Sequence, residues 1–377
     1  MQYRSFGQLD FKPSALGFGA MRLPTIGGDS ARVDEPQAIR MIRHAVDHGV
    51  NYIDNAYLYH QGVSESVVGR ALLDGYRQRV KLATKLPVWI IKSIDDCDRI
   101  LEEQLARLQT RYLDFYLFHG LNKDRWPVVR ELKLLDWAER AMARGSFLHL
   151  GFSFHDRLEL FEEILGGYDG WAFCQVQYNY VDQEFQAGTR GVRLAADRGL
   201  GVVVMEPVRG GALAKPPPQI QALWATSKRQ RTPVDWALQW VWNQPEISLA
   251  LSGMSAFEQV VQNLESAGRS AVGSLTAADL ELVARVRDAY RNLRPIPCTE
   301  CRYCQPCPNG VDIPRILQMY NDGIMLDARE RARFLYSLTS ESDRAHNCAD
   351  CGECEEKCPQ QIPIRDWLKQ ADAYLKP

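Results

Sequence analysis

The chain has 377 residues, with 45 Lys and Arg against 47 Asp and Glu and a formal net charge of −2 at pH 7. This balance gives no electrostatic reason to expect nucleic acid or an anionic membrane as a partner, and no stretch approaches the roughly 18 consecutive apolar residues of a membrane-spanning helix. The first residues do not lead into the apolar core of a signal peptide. We therefore expect a cytoplasmic protein with no nucleic-acid or membrane partner.

Short apolar segments alternate with longer segments of helical periodicity through most of the chain. The predicted strands lie at 51–54, 80–84, 113–118, 148–152, 173–176 and 201–205. Between them, apolar residues recur at spacings of three and four, as in 39–46 and 94–108, and Pro36 suits a first helical turn. Strand followed by helix, repeated about eight times, predicts an α/β fold whose parallel sheet closes into a (β/α)8 TIM barrel.

An open doubly wound sheet is the alternative fold. It would carry a glycine-rich phosphate loop after its first strand. The segment Leu16-Gly17-Phe18-Gly19-Ala20-Met21 is only a fragment of such a loop, because the third glycine is missing. The barrel is therefore the favoured interpretation.

Four reactive side chains stand at or just beyond the ends of consecutive predicted strands. Asp54 ends one strand and Tyr59 follows it, Lys85 ends the next, and His119 ends the third. In a barrel these strand ends line one mouth, where catalytic groups collect. An ammonium beside a phenol lowers the pKa of the phenol, and a carboxylate holds the ammonium in place. Each residue alone could be structural, but together they suit proton delivery to a carbonyl oxygen.

Eight of the ten cysteines form two quartets near the end of the chain. The first quartet is Cys298, Cys301, Cys304 and Cys307, and the second is Cys348, Cys351, Cys354 and Cys358. Each quartet ends in Cys-Pro; the second has the bacterial ferredoxin spacing, and the first is one residue shorter before its last cysteine. Paired C-x-x-C motifs also bind zinc, but zinc does not explain a third cysteine at the same spacing or the Cys-Pro endings. The pattern predicts two [4Fe–4S] clusters.

In ferredoxins of this type the last cysteine of each motif binds the other cluster. The predicted ligand sets are Cys298, Cys301, Cys304 and Cys358 for one cluster, and Cys348, Cys351, Cys354 and Cys307 for the other. The composition changes near residue 295, so we expect a barrel over 1–293 and a small α-rich ferredoxin-like iron–sulfur domain over 294–377, with a stiff linker at 294–297. The clusters would either stabilise this domain or relay electrons, in the second case to an electron-transfer partner.

The opening segment Tyr3-Arg4-Ser5-Phe6-Gly7, the segment 16–23 and the two site patterns together resemble the aldo-keto reductases, specifically the branch with a C-terminal ferredoxin-like domain. The resemblance covers nearly the whole chain. It implies a nicotinamide cofactor bound without a Rossmann fold, and a small-molecule carbonyl or alcohol substrate. By motif, Tyr59 would be the general acid, Lys85 the partner that lowers its pKa, Asp54 the orienting carboxylate, and His119 a hydrogen-bond donor to the substrate carbonyl.

The resemblance also implies a set of cofactor-binding positions. Ser153 and Gln175 match the serine and glutamine that hold the nicotinamide carboxamide, whereas Phe154 stands at the asparagine position. The turn after the next strand contains Met205, Glu206 and Pro207, with Met205 at the position of a tyrosine that often stacks on nicotinamide. A thioether can also pack against a ring.

The segment that would meet the 2′-phosphate of NADP contains Ser252, Gly253, Gln259 and Asn263. The resemblance places the lysine of NADPH-preferring relatives at Gly253 and the arginine at Gln259. A dianionic phosphate is bound best by guanidinium or ammonium groups, so this segment does not predict a preference for NADP over NAD. Two further hypotheses stay open: a redox enzyme, with or without flavin, whose barrel uses no free nicotinamide, and a non-catalytic redox sensor.

Overall fold

The computed structural model describes residues 1–298 and 301–376. These residues form two compact units. The barrel unit comprises Met1–Gly210 and Val234–Thr276, and the second unit comprises Gly211–Pro233 and the described residues from Ala277 onward. The domain boundary expected between residues 293 and 294 stays a prediction, and positions 299, 300 and 377 of the expected C-terminal domain lie outside the described residues.

The barrel unit contains a closed sheet of parallel strands in sequential order, β1 to β8. The strands are β1 Leu16–Gly19, β2 Tyr52–Asp54, β3 Lys81–Leu86, β4 Leu113–Leu121, β5 Phe147–Phe154, β6 Phe173–Gln177, β7 Gly201–Met205 and β8 Leu249–Gly253. Closure is made by β8 pairing with β1, in the register Leu16 to Ala250 and Gly19 to Gly253. The predicted (β/α)8 architecture is confirmed, and every strand predicted from the sequence overlaps an observed one.

Helices surround the sheet and build the second unit. Those of the barrel unit are α1 Glu35–Asp47, α2 Ser64–Ala71, α3 Ile94–Arg107, α4 Arg125–Glu131, α5 Leu134–Ala143, α6 Leu158–Gly166, α7 Gly188–Asp197, α9 Pro233–Trp242 and α10 Phe257–Gly268. Those of the second unit are α8 Pro218–Trp224, α11 Ala277–Asn292, α12 Ile313–Met325, α13 Arg329–Ser337, α14 Glu353–Glu356 and α15 Ile364–Leu375. None of the described helices combines the length and apolarity needed to cross a membrane.

Capping residues fix where the barrel helices begin. Asp34 accepts a hydrogen bond from the Gln37 backbone N–H at 3.2 Å, and Pro36 occupies the first turn of α1. Ser93 forms a reciprocal capping box with Asp96 at the start of α3. Each cap satisfies backbone N–H groups that have no partner within the helix. The capping residues in the sequence therefore determine where α1 and α3 begin.

An aromatic cluster fills the barrel at the end where its strands begin. Phe6 is fully buried, and its ring centroid lies 5.0 Å from that of Phe115, 5.7 Å from that of Phe173 and 6.2 Å from that of Tyr52. A Cβ atom at Gly201 would come within 2.6 Å of the Phe6 ring, so glycine is needed for this packing. The N-terminal segment therefore closes one end of the barrel, and the other end is left for the site.

The second unit has its own apolar core. Its members include Ile296, Ile316, Leu317 and Leu368, and cysteines of both quartets pack against it. Asn321 holds Ile296 through two hydrogen bonds, accepting from its N–H at 3.0 Å and donating to its carbonyl at 2.9 Å. The segment expected to be a linker at 294–297 thus contributes a buried side chain to this core.

Candidate active site and cysteine-lined cavities

Lys85 lies at the centre of the candidate site, one residue before the end of β3. Its Nζ donates to Asp54 Oδ2 at 2.6 Å, to the Asn55 carbonyl oxygen at 2.6 Å and to Tyr59 Oη at 3.2 Å. These bonds use all the N–H donors of an ammonium group. Burial lowers the pKa of Lys85, but Asp54 and Tyr59 more than offset this effect and raise it above the ordinary value. The side chain is therefore a fixed, charged group.

The Tyr59 hydroxyl is the group best placed to move a proton. Its oxygen accepts the bond from Lys85, which leaves its own O–H free to donate to another molecule. Burial raises the pKa of Tyr59, and the lowering caused by the Lys85 ammonium does not offset this increase. Lys85 lowers the pKa of Tyr59, as the sequence predicted, but burial raises that pKa by more. The phenol therefore holds its proton near neutral pH and can act as an acid.

His119 faces Tyr59 across the mouth of the barrel. The two rings meet edge to face, with centroids 6.1 Å apart and an interplanar angle of 82°. Burial lowers the pKa of His119 well below its ordinary value, and the nearby charges of Lys85 and Arg125 add to the effect. Its Nδ1 atom is buried and has no hydrogen-bond partner among the described residues. A neutral imidazole of this kind can hydrogen-bond a substrate oxygen.

Ser153 and Gln175 are register partners on β5 and β6, and both are almost fully buried. Ser153 Oγ accepts a hydrogen bond from the Gly120 N–H at 2.7 Å, so its hydroxyl hydrogen can still donate. Gln175 Oε1 is buried and has no hydrogen-bond partner among the residues described. A nicotinamide carboxamide has an oxygen that accepts and an NH₂ group that donates. The Ser153 hydroxyl and the Gln175 oxygen therefore offer the donor and the acceptor that a nicotinamide carboxamide needs.

Phe154 stands at the position where the resemblance implies an asparagine that binds the nicotinamide carboxamide, but its side chain does not fill that role. It follows Ser153 on β5, so its side chain points to the opposite face of the strand. Its ring packs on Phe161 of α6, with centroids 5.0 Å apart. Phe154 is therefore part of the packing between sheet and helix.

The predicted turn Met205-Glu206-Pro207 follows β7 directly. Glu206 has a positive φ of 54°, and its carbonyl oxygen accepts from Asn179 Nδ2 at 3.3 Å. Arg209 lies two residues after the turn, and its Nε donates to the buried Asp182 at 2.9 Å. Burial would raise the pKa of Asp182, but Arg209 and neighbouring amides hold it below its ordinary value. The turn is thus fixed by a buried ion pair.

Several polar side chains of the predicted phosphate-binding segment form hydrogen bonds within the segment itself. Gln259 Oε1 accepts from the backbone N–H groups of Ser255 at 2.8 Å and Ala256 at 3.3 Å, and so caps α10. Asn263 Nδ2 donates to Ser252 Oγ at 3.0 Å. Gly253 ends β8 beside Arg22, and a Cβ atom built on it would lie 3.3 Å from that side chain. The role of these residues in binding a phosphate stays a prediction.

The cysteines of the second unit line two cavities. One encloses about 380 Å³ of empty space, including space open to solvent, and its wall contains Cys307, Cys348, Cys351 and Cys354. The other encloses about 330 Å³, measured in the same way, and its wall contains Cys298, Cys301, Cys304 and Cys358. Each cavity thus contains three cysteines of one motif and the last cysteine of the other, and Cys304 lines both cavities. Thiolates are the ligands of iron–sulfur clusters, so both donor sets fit the predicted clusters.

Sequence analysis missed two groups at the mouth of the barrel. The Asn55 carbonyl accepts one of the three bonds of Lys85, and no side-chain pattern could have indicated a backbone acceptor. The Arg125 guanidinium lies 4.3 Å from the Trp89 ring centroid, and that ring lies 5.0 Å from His119. Trp89 follows β3, His119 lies on β4 and Arg125 begins α4, so only the fold brings the three side chains together.

Two segments of the chain match known families. Residues 15–271 match the Aldo/keto reductase family, and residues 297–362 match a 4Fe-4S dicluster domain. The aldo-keto reductase YhdN of Bacillus subtilis (strain 168) is 37% identical to this chain over 136 residues. That match covers 34% of this chain and 38% of YhdN, so this chain spans well under half of that relative.

Solved structures resemble a larger part of the chain. The aldo-keto reductase AKR11C1 from Bacillus halodurans, in its holo form, has a TM-score of 0.64 and 27% identity, covering 76% of this chain and 96% of its own. An aldo-keto reductase from Klebsiella pneumoniae in complex with NADPH has a TM-score of 0.62 and 26% identity, with the same coverage of 76% and 96%. The resemblance on which the sequence predictions rested is confirmed.

Proposed function

The chain belongs to the aldo/keto reductase family, and from that premise we propose that its barrel interconverts a carbonyl compound and an alcohol with a nicotinamide cofactor. When bound, a nicotinamide cofactor supplies or accepts the hydride. The observation that carries the proposal is the contact of Lys85 Nζ with both Asp54 and Tyr59, at 2.6 and 3.2 Å. The substrate would be a small molecule.

Tyr59 gives its proton to the carbonyl oxygen when the carbonyl carbon is reduced. The O–H bond of the phenol breaks, a new O–H bond forms on the product alcohol, and a phenolate remains next to Lys85. The ammonium stabilises that phenolate, and Asp54 keeps the ammonium in place. The neutral His119 donates a hydrogen bond to the same oxygen and orients it towards Tyr59. The reverse sequence serves alcohol oxidation.

Ser153 and Gln175 would hold the carboxamide of the cofactor. The hydroxyl of Ser153 donates to the amide oxygen, and Gln175 Oε1 accepts from the amide nitrogen. That oxygen is buried and has no hydrogen-bond partner among the described side chains and backbone groups, and an unpaired buried acceptor costs about 1–3 kcal/mol. The Klebsiella pneumoniae relative was solved in complex with NADPH, which supports a nicotinamide dinucleotide as the cofactor. We expect no strong preference for NADPH over NADH, because Gln259 is engaged in capping α10.

Substitution of Tyr59 tests the proposed acid. We expect Tyr59→Phe to lower the rate of carbonyl reduction by about 10²–10⁴-fold, while binding of NADH or NADPH, followed by protein fluorescence, is retained. Tyr57→Phe is the matched control, since the Tyr57 hydroxyl donates to Glu103 at 2.6 Å and does not contact Lys85. Full carbonyl reduction by Tyr59→Phe would show that another group is the acid.

The two cavities of the second unit would each hold a [4Fe–4S] cluster. Such clusters carry single electrons. We propose the ligand sets Cys298, Cys301, Cys304 with Cys358, and Cys348, Cys351, Cys354 with Cys307. Cys304 and Ile313 line both cavities, so the cavities adjoin each other. This adjacency favours an electron relay over two isolated structural sites.

The relay is a second candidate function, in which the clusters exchange electrons with the barrel reaction or with a partner. Anaerobic titration with NADH and with NADPH, following the visible absorbance, separates the candidates. Bleaching of the cluster absorbance by either coenzyme or by an alcohol substrate supports the relay. Carbonyl reduction with unchanged cluster absorbance assigns the clusters a structural role. A flavin band in the isolated protein would instead indicate flavin-coupled chemistry.

A further inference from the structure

A guanidinium group lies beside His119 at the mouth of the barrel. Arg125 is the first residue of α4, and its Nη1 donates to the Gly120 carbonyl oxygen at 2.7 Å. Its guanidinium carbon lies 4.3 Å from the centroid of the Trp89 ring, and the Trp89 and His119 ring centroids are 5.0 Å apart. Burial is the main cause of the lowered pKa of the His119 imidazole, and the charge of Arg125 is the smallest of the effects that add to it. The three groups therefore form one continuous surface.

The backbone around Arg125 is adapted to this position. Gly120 has a positive φ of 62°, which favours glycine, and a Cβ atom built there would lie 2.5 Å from Arg125 Nη1. Any larger residue at position 120 would displace the guanidinium from the carbonyl that holds it. Trp89 supports the guanidinium on one face through a cation–π contact. The Arg125 guanidinium is thus held by the Gly120 carbonyl oxygen and by the Trp89 ring.

Arg125 has unused capacity to bind an anion. A guanidinium has five N–H donors, and the structure assigns one hydrogen bond to it, from Nη1 to Gly120. Among the described carboxylates, none forms an ion pair with Arg125, although Asp124 precedes it in the chain. Burial lowers the pKa of Arg125, and the charge of Asp124 offsets this only in part. A half-buried cation without a carboxylate partner is costly to maintain unless a ligand pairs with it.

We propose that Arg125 binds a carboxylate carried by the substrate, so that the preferred substrates are anionic carbonyl compounds or the corresponding hydroxy acids. The inference rests on the proposed carbonyl reduction for the substrate's reacting group. The carbonyl oxygen would lie between Tyr59 and His119, and the carboxylate would extend past His119 to the guanidinium. The planar fork of arginine matches the two oxygens of a carboxylate. Trp89, 40% exposed, offers an apolar face for the carbon atoms between the two groups.

A charge series of aldehydes on one scaffold tests the proposal. The probes are 4-formylbenzoate, its neutral methyl ester and 4-(trimethylammonio)benzaldehyde, reduced by the full chain with NADH and NADPH. We expect kcat/KM to be highest for the anion and lowest for the cation. Arg125→Gln should lower the ratio of kcat/KM for the anion over that for the ester by about tenfold or more, mainly through KM, as expected for loss of a charged hydrogen-bonded pair.

Arg130→Gln is the matched control for this variant. Arg130 lies on the same helix and also stacks on a tryptophan, with 5.8 Å between its guanidinium and Trp126, but it pairs with Glu163. We expect Arg130→Gln to leave the substrate ratio unchanged. Arg125→Lys keeps the charge without the fork and should give an intermediate ratio. An unchanged ratio in Arg125→Gln would overturn the proposal.

Binding of benzoate gives a readout that does not depend on turnover. Calorimetric titration with benzoate, and with benzamide as the neutral analogue, should show benzoate binding that Arg125→Gln weakens and Arg130→Gln preserves. If the wild-type chain reduces none of the aldehydes yet binds benzoate through Arg125, the proposed reduction fails and the anion site stands. Equal benzoate affinity in wild type and Arg125→Gln would remove the anion site.

Discussion

The charge of Lys85 balances the buried Asp54 carboxylate and acts on the Tyr59 hydroxyl. It is 1% exposed and its partner Asp54 is 3% exposed, so water screens neither charge. A buried pair of this kind adds little net stability, because desolvation cancels much of the attraction. Its value lies in position: it fixes an ammonium 3.2 Å from the Tyr59 hydroxyl.

Removing one member of the pair leaves the other buried and uncompensated. We expect Lys85→Met to lower the free energy of unfolding by about 3–5 kcal/mol. The double variant Asp54→Asn with Lys85→Met should regain part of that loss, because no charge is then left unpaired. Chemical denaturation of the single and double variants measures both values. A double variant less stable than Lys85→Met would show that the lost packing, and not the orphaned charge, sets the cost.

The pH dependence of reduction follows from the shifted groups. Tyr59 must be protonated to act as an acid, and burial raises its pKa above the ordinary value of about 10. The rate should therefore fall only as pH rises into the strongly alkaline range. His119 has a pKa well below its ordinary value of about 6.5, so it stays neutral and should cause no inflection there. A profile of kcat/KM against pH tests both expectations, and a limb near pH 6.5 would contradict the second.

The N-terminal segment acts as a structural element although it contains no regular helix. It inserts Phe6 among rings of β2, β4 and β6, where the strands begin. Gly7 has a positive φ of 55°, and a Cβ atom there would come 2.3 Å from the Gly199 carbonyl oxygen. The segment thus joins strands that lie apart in sequence, at the end of the barrel away from the site.

Truncation of Phe6 measures the contribution of this segment. We expect Phe6→Ala to destabilise the barrel by about 3–5 kcal/mol, as large-to-small changes in well-packed cores do. Leu148→Ala on β5 is the control, because Leu148 is 46% exposed and should change stability little. Denaturation of the two variants, followed by far-UV circular dichroism, compares them. Similar losses in both would mean that the aromatic cluster packs loosely.

The strands were predictable because their own residues determine them. The run Val202-Val203-Val204 is buried and β-branched, and parallel strands covered on both faces have this composition. The strand-end residues of the site were predictable for the same reason: Asp54 and Lys85 interrupt such runs. Two other features could not be predicted: Gln259 caps α10, and Arg125 stacks on Trp89. Both depend on the conformation of the chain between strand and helix, which hydrophobic periodicity does not encode.

At the scale of the whole molecule, two units with separate cores share one chain. The second unit buries fewer apolar side chains than the barrel. Six of its cysteines pack against its small core, whereas Cys301 and Cys351 are exposed. Metal binding commonly stabilises small domains of this kind. The proposed crossed ligation would tie the two cysteine motifs to each other as well as to iron.

Loss of the last cysteine of one motif, alone and together with a cysteine of the other motif, tests the crossed ligation. We expect Cys358→Ser to deplete the cluster otherwise held by Cys298, Cys301 and Cys304, so that iron falls from about eight to about four atoms per chain. Cys174→Ala is the control, because Cys174 is buried in β6 and lies outside both cavities. Iron and sulfide analysis after anaerobic purification gives the counts. The double variant Cys298→Ser with Cys358→Ser should also keep about four iron atoms per chain, because the crossed sets place both cysteines on one cluster. Loss of nearly all iron in this double variant would refute the crossed sets.

Pairing of β8 with β1 has a consequence for biosynthesis. A nascent chain that has emerged only as far as β7 holds two unpaired strand edges, on β1 and on β7, and such edges invite association with other chains. The last partner, Leu249–Gly253, follows Leu16–Gly19 by more than half the sequence. Until β8 has been synthesised, both edges of the sheet therefore lack the strand that covers them in the closed barrel.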